Sequence, residues 1–388
     1  MRQSSVSGPQ DLDVNAKTVQ LVNLISEIGP DICEISRRLG QFKESVRYRY
    51  EEKIVKRSFE IKADVDYGAL GLRRVVAKVR VPGTRARYVR ELFETMSDTC
   101  YLVAYAGTMP SDVYLVQGGV PVELTAEFHR FMEELKEKGI FSEVESFDCD
   151  WFRVVPMRAE YFNFDEGVWD FDWSNPPPVD ERAARATISE RQTYDRTDLL
   201  ITKELQKDSD RSMVEIQAAI KEVNGVDINY KTLGWHYKNH VLGHHLIRDY
   251  SVSWNGIKSH FGPKRYEGLG KHEYVGVSLL VRETSHHDSL LLRSQLNRLP
   301  FQWSEAAGEA YYSQFFFPLG MANEAFEYLK VLLSPYGKRA EIFLLDRRQM
   351  YSYTVCYRLW DERSGRWTFD PTGVLSRLES SVLKVRND

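Results

Sequence analysis

A chain of 388 residues, 43% apolar and 28% charged, has the composition of a globular protein and length for two to four domains. Its net charge of −4 excludes a surface that is basic all over, so any nucleic-acid contact must come from a local patch. Four scattered cysteines without a C-x-x-C pair exclude a zinc ribbon or redox motif, and no apolar run reaches the roughly 18 residues of a membrane helix.

Sparse cysteine, and a start (MRQSSVSGPQDLD) without the apolar core of a signal peptide, predict a cytoplasmic protein. Residues 1–13 read as a disordered polar arm. Helical periodicity then runs from Val14 to Ile54. Val22, Ile25 and Ile28 form one apolar face, and Gly29-Pro30-Asp31 is a stop with a capping residue. Ile32, Ile35 and Leu39 form a second face, Gly40-Gln41-Phe42 a tight turn, and Val46, Tyr50 and Ile54 the inner stripe of a third helix. This is the layout of a winged helix-turn-helix over 14–66. Residues 36–57 hold eight Lys/Arg against three acids, a local +5. Arg37, Arg38, Lys43, Ser45, Arg47, Tyr48, Arg49, Lys56 and Arg57 are the candidate DNA contacts, because such side chains on a helix can read base edges or hold phosphates. A plain three-helix bundle with ordinary surface cations fits the same spacing.

Strand-like alternation follows at 58–65, 72–81, 99–106, 112–117 and 141–156, with helical patterns at 84–96 and 121–138. That is a ferredoxin-like βαββαβ order, assigned to 67–172. The acidic-aromatic run FNFDEGVWDFDW (162–173) is expected to pack on this domain, away from any DNA-binding face. A Trp173-Ser174-Asn175-Pro176-Pro177-Pro178 stretch opens a linker over 173–194.

The same order recurs. Helical patterns at 198–206, 213–223 and 230–242, then a strand at 247–254, predict a second winged helix-turn-helix over 195–255. Its candidate DNA contacts are Asn229, Lys231, Thr232, His236, Lys238, Asn239 and His240, in a stretch free of acids from Ile228 to Ile247. His236 and His240 have the i, i+4 spacing of a zinc pair. No cysteine or carboxylate lies beside them in sequence, so no metal is expected. The basic Gly-rich loop Asn255–Lys271 is expected to touch the DNA backbone. A second ferredoxin-like domain is assigned to 256–371. Its strands are read at 274–281, 310–317, 340–345 and 352–359, its helices at 287–298 and 322–333, and 372–388 are read as a tail.

The first half resembles the Lrp/AsnC family of transcription regulators over roughly residues 20–150. The resemblance rests on Ile32-Cys33-Glu34-Ile35-Ser36-Arg37-Arg38-Leu39-Gly40 with Glu44-Ser45-Val46-Arg47-Tyr48-Arg49, on IKADVDYGALG (61–71), and on Tyr105-Ala106-Gly107 through Asp112-Val113-Tyr114-Leu115. It departs from the family where Glu52-Lys53-Ile54-Val55-Lys56-Arg57 replaces the usual Leu and Gly before the wing, and where Met109-Pro110-Ser111 lengthens a turn. The resemblance implies DNA binding, oligomerisation through the α+β domains and a small-molecule effector, with Gly107 and Asp112 as candidate effector contacts.

The expected protein is therefore α+β, with two winged helix-turn-helix domains each followed by a ferredoxin-like effector-type domain. Its expected function is sequence-specific binding of double-stranded DNA as a transcription regulator. The α+β domains would form an intrachain pseudo-dimer or a homo-oligomer. No G-x-S-x-G, H-E-x-x-H or dinucleotide fingerprint is present, so no enzyme and no cofactor are expected. The alternative is a non-enzymatic sensor or scaffold that uses its winged helices for protein contacts.

Overall fold

The structure, a computed structural model, describes residues 9–57, 59–109, 112–179, 189–253 and 274–380. The first helical unit is α1 (Pro9–Ile28), α2 (Ile32–Leu39) and α3 (Lys43–Tyr50). Asp31 starts α2 by accepting from the amides of Cys33 (2.9 Å) and Glu34 (3.1 Å), donors that otherwise have no partner in a helix's first turn. Gly40 ends it at φ 61°, a conformation that glycine adopts without a Cβ clash. Leu21, Val22, Ile25, Ile35, Val46, Tyr50 and Ile54 form the core, as their periodicity predicts. After α3 the helix widens into a π turn, Glu51–Val55.

The first half continues with β1 (Glu60–Val65), β2 (Leu72–Arg80), α4 (Val89–Thr99), β3 (Leu102–Met109), β4 (Val113–Pro121), α5 (Thr125–Glu137) and β5 (Glu143–Val154). The small hairpin of β6 (Phe162–Asn163) and β7 (Val168–Trp169) ends it. The second helical unit is α6 (Arg196–Lys207), α7 (Met213–Asn224) and α8 (Tyr230–His236), again followed by a π turn, Tyr237–Leu242. Then come β8 (Ile247–Ser253), β9 (Tyr274–Arg282), α9 (His286–Leu296), β10 (Gln302–Gly308), β11 (Ala310–Pro318), α10 (Ala322–Leu333) and β12 (Ala340–Ser352). The hairpin of β13 (Trp360–Asp361) and β14 (Arg366–Trp367) precedes α11 (Pro371–Leu378).

Two ferredoxin-like domains were expected, and this is corrected. Eight strands close into one barrel in the order β10-β11-β9-β12-β3-β4-β2-β5. Within each half the order is the ferredoxin-like fourth-first-third-second, but an open four-stranded sheet leaves two unpaired edges. Here the edges seal each other: β12 pairs with β3 (Tyr351 opposite Tyr105) and β10 with β5 (Glu305 opposite Arg153). The expected wings are corrected too. The strand after each helical unit finds its partner in the other half, as β1 pairs antiparallel with β8 from Glu60↔Ser253 to Val65↔Ile247.

Smaller expectations also change. α1 already begins at Pro9, inside the expected arm, and α11 lies within the expected tail with Val374, Leu375 and Leu378 buried. β10 went unread, and the strand read at 352–359 is the end of β12 followed by irregular chain. The basic loop Asn255–Lys271, residues 1–8 of the arm, 180–188 of the linker and 381–388 of the tail lie outside the described residues.

Candidate active site at the barrel mouth

Between the β1–β8 ribbon and the barrel strands lies a cavity of about 140 Å³, lined by Asp64, Arg74, Tyr105, Gln117, Phe152, Trp303 and Gln314 among others. Strand alternation and the pairing of Arg74 with Gly119 put Arg74 on the barrel's inner face, beside Gln117. A Cβ at position 119 would stand 2.5 Å from the Tyr67 ring, so the glycine is what lets that ring lie across the cavity wall. The Arg74 guanidinium carbon is 4.2 Å from the Tyr67 ring centre and 3.7 Å from that of Phe152. The residue is 4% exposed, and its Nε has no hydrogen-bond partner. Burial pushes its pKa below the ordinary guanidinium value. A guanidinium nevertheless keeps its proton in proteins, so the cavity wall holds a buried cation with an open N–H. The two rings soften its desolvation but accept no hydrogen bond in the plane of the fork.

Asp64, on β1, is also 4% exposed. Burial pushes its carboxyl up to about 7, against the opposing pull of Arg248 and Arg74. Its partners are distant: Val154 N donates at 3.4 Å, and Arg248 stands 4.0 Å away. One cavity thus presents an incompletely bonded cation and a carboxyl that exchanges its proton near neutrality, the setting of a general acid. The sequence reading missed both residues. The only signal for them was the charged residues inside two strand-like runs, IKADV and LRRVVAKVR.

The first set of candidate DNA contacts divides. Lys43 is half-buried, and Ser45, Arg47 and Tyr48 point outward from α3, Tyr48 at 69% exposure. Arg37 and Arg38 are tied to the protein's own acids. Arg37 meets Glu34 at 2.5 and 2.8 Å, and Arg38 meets Glu27 at 2.5 Å and Glu34 at 3.1 Å. These hydrogen bonds hold the Glu34 carboxyl down at about 2. Arg49 donates to Gln41 (3.0 Å), Lys56 pairs with Glu52, and Arg57 reaches the Asp165 carbonyl at 3.3 Å. Lys53 pairs with the Asp165 carboxylate, so the acidic-aromatic hairpin packs against the first helical unit rather than away from it.

The second set divides as well. Lys231, Thr232 and Lys238 are exposed. Asn229 caps α8 by accepting from Lys231 N at 2.9 Å, and Asn239 bonds back to the Trp235 carbonyl at 2.9 Å. His236 and His240 turn inward instead, their Nδ1 atoms 2.9 and 3.0 Å from the two oxygens of Asp198 on α6. A carboxylate therefore does stand beside this pair, 38 residues from His236 and 42 from His240 in sequence. The effector candidates do not face the cavity. A Cβ at Gly107 would meet Gln349 at 3.0 Å and Tyr114 at 3.2 Å, and Asp112 pairs with Arg80 at 2.5 Å.

No family model matches the chain, and no curated protein matches it. Among solved structures, the siroheme decarboxylase NirDL is 12% identical, with 95% of this chain and 99% of that one covered and a TM-score of 0.49. NirDL in complex with an iron-uroporphyrin III analogue is 10% identical, with 97% and 99% covered and a TM-score of 0.48. AsnC of E. coli is 12% identical over 37% of this chain and 92% of its own, at a TM-score of 0.26. The likeness to AsnC-type regulators thus extends over about a third of the chain. The expectation of a non-enzymatic protein is corrected on the finding that two structures matched over 95% and 97% of this chain bear the name of an enzyme.

Proposed function

We propose that the chain is an enzyme whose active site is the barrel mouth, where Arg74 binds a carboxylate of the substrate and Asp64 delivers a proton. The observation that carries this reading is the buried Arg74 guanidinium with its open Nε–H. A carboxylate is the group that completes it, since a guanidinium presents parallel donors that match two carboxylate oxygens. The two residues together suit decarboxylation. The bond between the substrate carbon and its COO⁻ breaks, CO2 leaves, the electron pair stays on the carbon, and that carbon takes a proton. Asp64 supplies the proton and regains one from solvent, so the step is redox-neutral. A cavity of about 140 Å³ admits one carboxylate arm, and a larger substrate would keep its body outside. The name of the full-length neighbour supplies the substrate class to test, a carboxylate-bearing tetrapyrrole such as siroheme.

The test incubates the full chain with siroheme and with iron-uroporphyrin III, following loss of CO2 by mass spectrometry and binding by absorbance. Arg74→Met should weaken binding by about thirtyfold or more, the size of one lost charge-assisted hydrogen bond. A folded Arg74→Met chain that binds as tightly as wild type refutes the reading.

A second reading, sequence-specific binding of double-stranded DNA for transcription regulation, is favoured by the outward face of α3. Ser45, Arg47 and Tyr48 are exposed on that face, and Lys43 is half-buried at its start. Under this reading the barrel mouth would hold the small-molecule effector, and the two halves would act as a pseudo-dimer. DNA affinity should then fall with salt at a log–log slope of about 0.9 per phosphate contact, and Arg47→Ala should lower that slope. Salt-independent binding removes this reading.

A further inference from the structure

We infer that the second helical unit holds a divalent metal ion of the zinc class between α6 and α8, on His236, His240, Asp195 and Asp198. His236 and His240 lie one turn apart on one helix face, and Asp195 and Asp198 lie one turn apart at the start of α6. The His236 Nδ1 atom stands 2.9 Å from Asp198 Oδ1 and 3.8 Å from Asp195 Oδ2, and His240 Nδ1 stands 3.0 Å from Asp198 Oδ2. One ligand atom from each of the four residues lies within 4.8 Å of all the others. Tetrahedral zinc with nitrogen and oxygen bonds of about 2.0–2.2 Å sets its ligand atoms about 3.4 Å apart. The observed separations lie on both sides of that value.

Charge gives an independent argument. Asp198 is fully buried, yet among the described residues no lysine or arginine pairs with it. Glu204, fully buried on the same helix, has three cations around it: Lys203 and Lys207 at 2.9 Å and Arg211 at 2.8 Å. Two carboxylates with two neutral imidazoles sum to −2, which one divalent ion neutralises without a buried charge left over. The capping contacts leave room for it. Asp195 uses Oδ1 for the Asp198 amide and keeps Oδ2, while Asp198 uses Oδ2 for the Asp195 amide and keeps Oδ1. A wall stands behind the ligands. His244 stacks on His240 at 5.0 Å with an interplanar angle of 11°, and its Nδ1 is fixed on the Thr193 carbonyl at 2.7 Å.

The test uses the full chain, stripped with a chelator and titrated with Co(II), then with Zn(II) as competitor. One Co(II) per chain with the intense visible bands of a tetrahedral site is expected, displaced by zinc. Asp195→Asn preserves the helix cap, since asparagine caps as well as aspartate, and should weaken Co(II) binding at least tenfold. His240→Ala should abolish the bands. His244→Ala, outside the ligand set, should keep one ion per chain, and so should Arg74→Met at the barrel mouth. Absence of the visible bands in folded wild type, or an unchanged affinity in Asp195→Asn, overturns the inference. In that case the two histidine rings only hydrogen-bond the Asp198 carboxylate.

Discussion

Arg74 and Asp64 take their properties from burial more than from each other. A lone guanidinium on a strand is ordinary at a surface. On the inner face of a barrel its Nε–H is buried without a partner, which is why a carboxylate is proposed to complete it. Asp64 has the complementary behaviour. Its carboxyl releases its proton at 3.8 when unperturbed and at about 7 in the folded chain. The folded state therefore binds the extra proton. The stability linked to that proton is fully present below the unfolded value and is lost as pH rises through about 7. Above that pH, the ionised buried carboxylate costs on the order of 4 kcal/mol. Asp64→Asn should thus be more stable than wild type in mildly alkaline buffer and lose that advantage in acid, as denaturant unfolding in the two buffers would measure. Turnover of a substrate protonated by Asp64 should fall as pH rises through the same range, and Asp64→Asn should abolish that dependence along with most of the activity. A wild type whose stability rises through that range contradicts the burial argument. Neither residue could be placed from sequence. Alternation says that Arg73 and Arg74 face opposite sides of β2, but only barrel closure decides which side is dry.

At the level of elements, the helices were the most legible part. Apolar spacing located α2, α3, α7 and α8 within a few residues, and Asp31 caps α2 as its place before an apolar run implies. The strands of the first half were legible for the same reason, because each carries a period-two or continuous apolar run between turns. β10 was lost because QWSEAAG carries polar residues that are buried in the fold: Gln302 donates to Ser313 at 2.9 Å, and Glu305 meets Arg153 at 2.6 Å. A strand that buries polar side chains has no hydrophobic signature. The two small hairpins hid for another reason. They have the same design, with Gly167 and Gly365 at positive φ (73° and 61°), then Trp169 and Trp367 two residues on. Each pair of strands is two residues long, shorter than any periodic window. The inward turn of His236 and His240 was not legible because no acid lies near them in sequence, whereas Asp198 comes from a neighbouring helix.

At the scale of the molecule, the two halves share one barrel, so neither has a complete sheet without the other. Separate domains would melt separately. With β3 sealed by β12 and β5 by β10, calorimetry should give a single unfolding transition across the barrel, and two resolved transitions would speak against the shared sheet. The shared barrel also separates positions that symmetry would otherwise equate. Leu72 pairs with Pro121 and Tyr274 with Pro318, so the counterpart of Arg74 in the second half is Gly276. Gln117 and Gln314, by contrast, correspond and agree. In an assembly of two identical chains every substitution appears twice, and an arginine here would bring a second buried cation into the same interior. Joining the halves in one polypeptide frees each position to mutate alone. One side of the barrel can then hold the charge while the other, where a Cβ on Gly276 would already meet Leu345 and Phe316 at 3.2 Å, stays small and neutral. The asymmetric carboxylate-bearing substrate proposed for the barrel mouth would then meet an interior that is itself asymmetric.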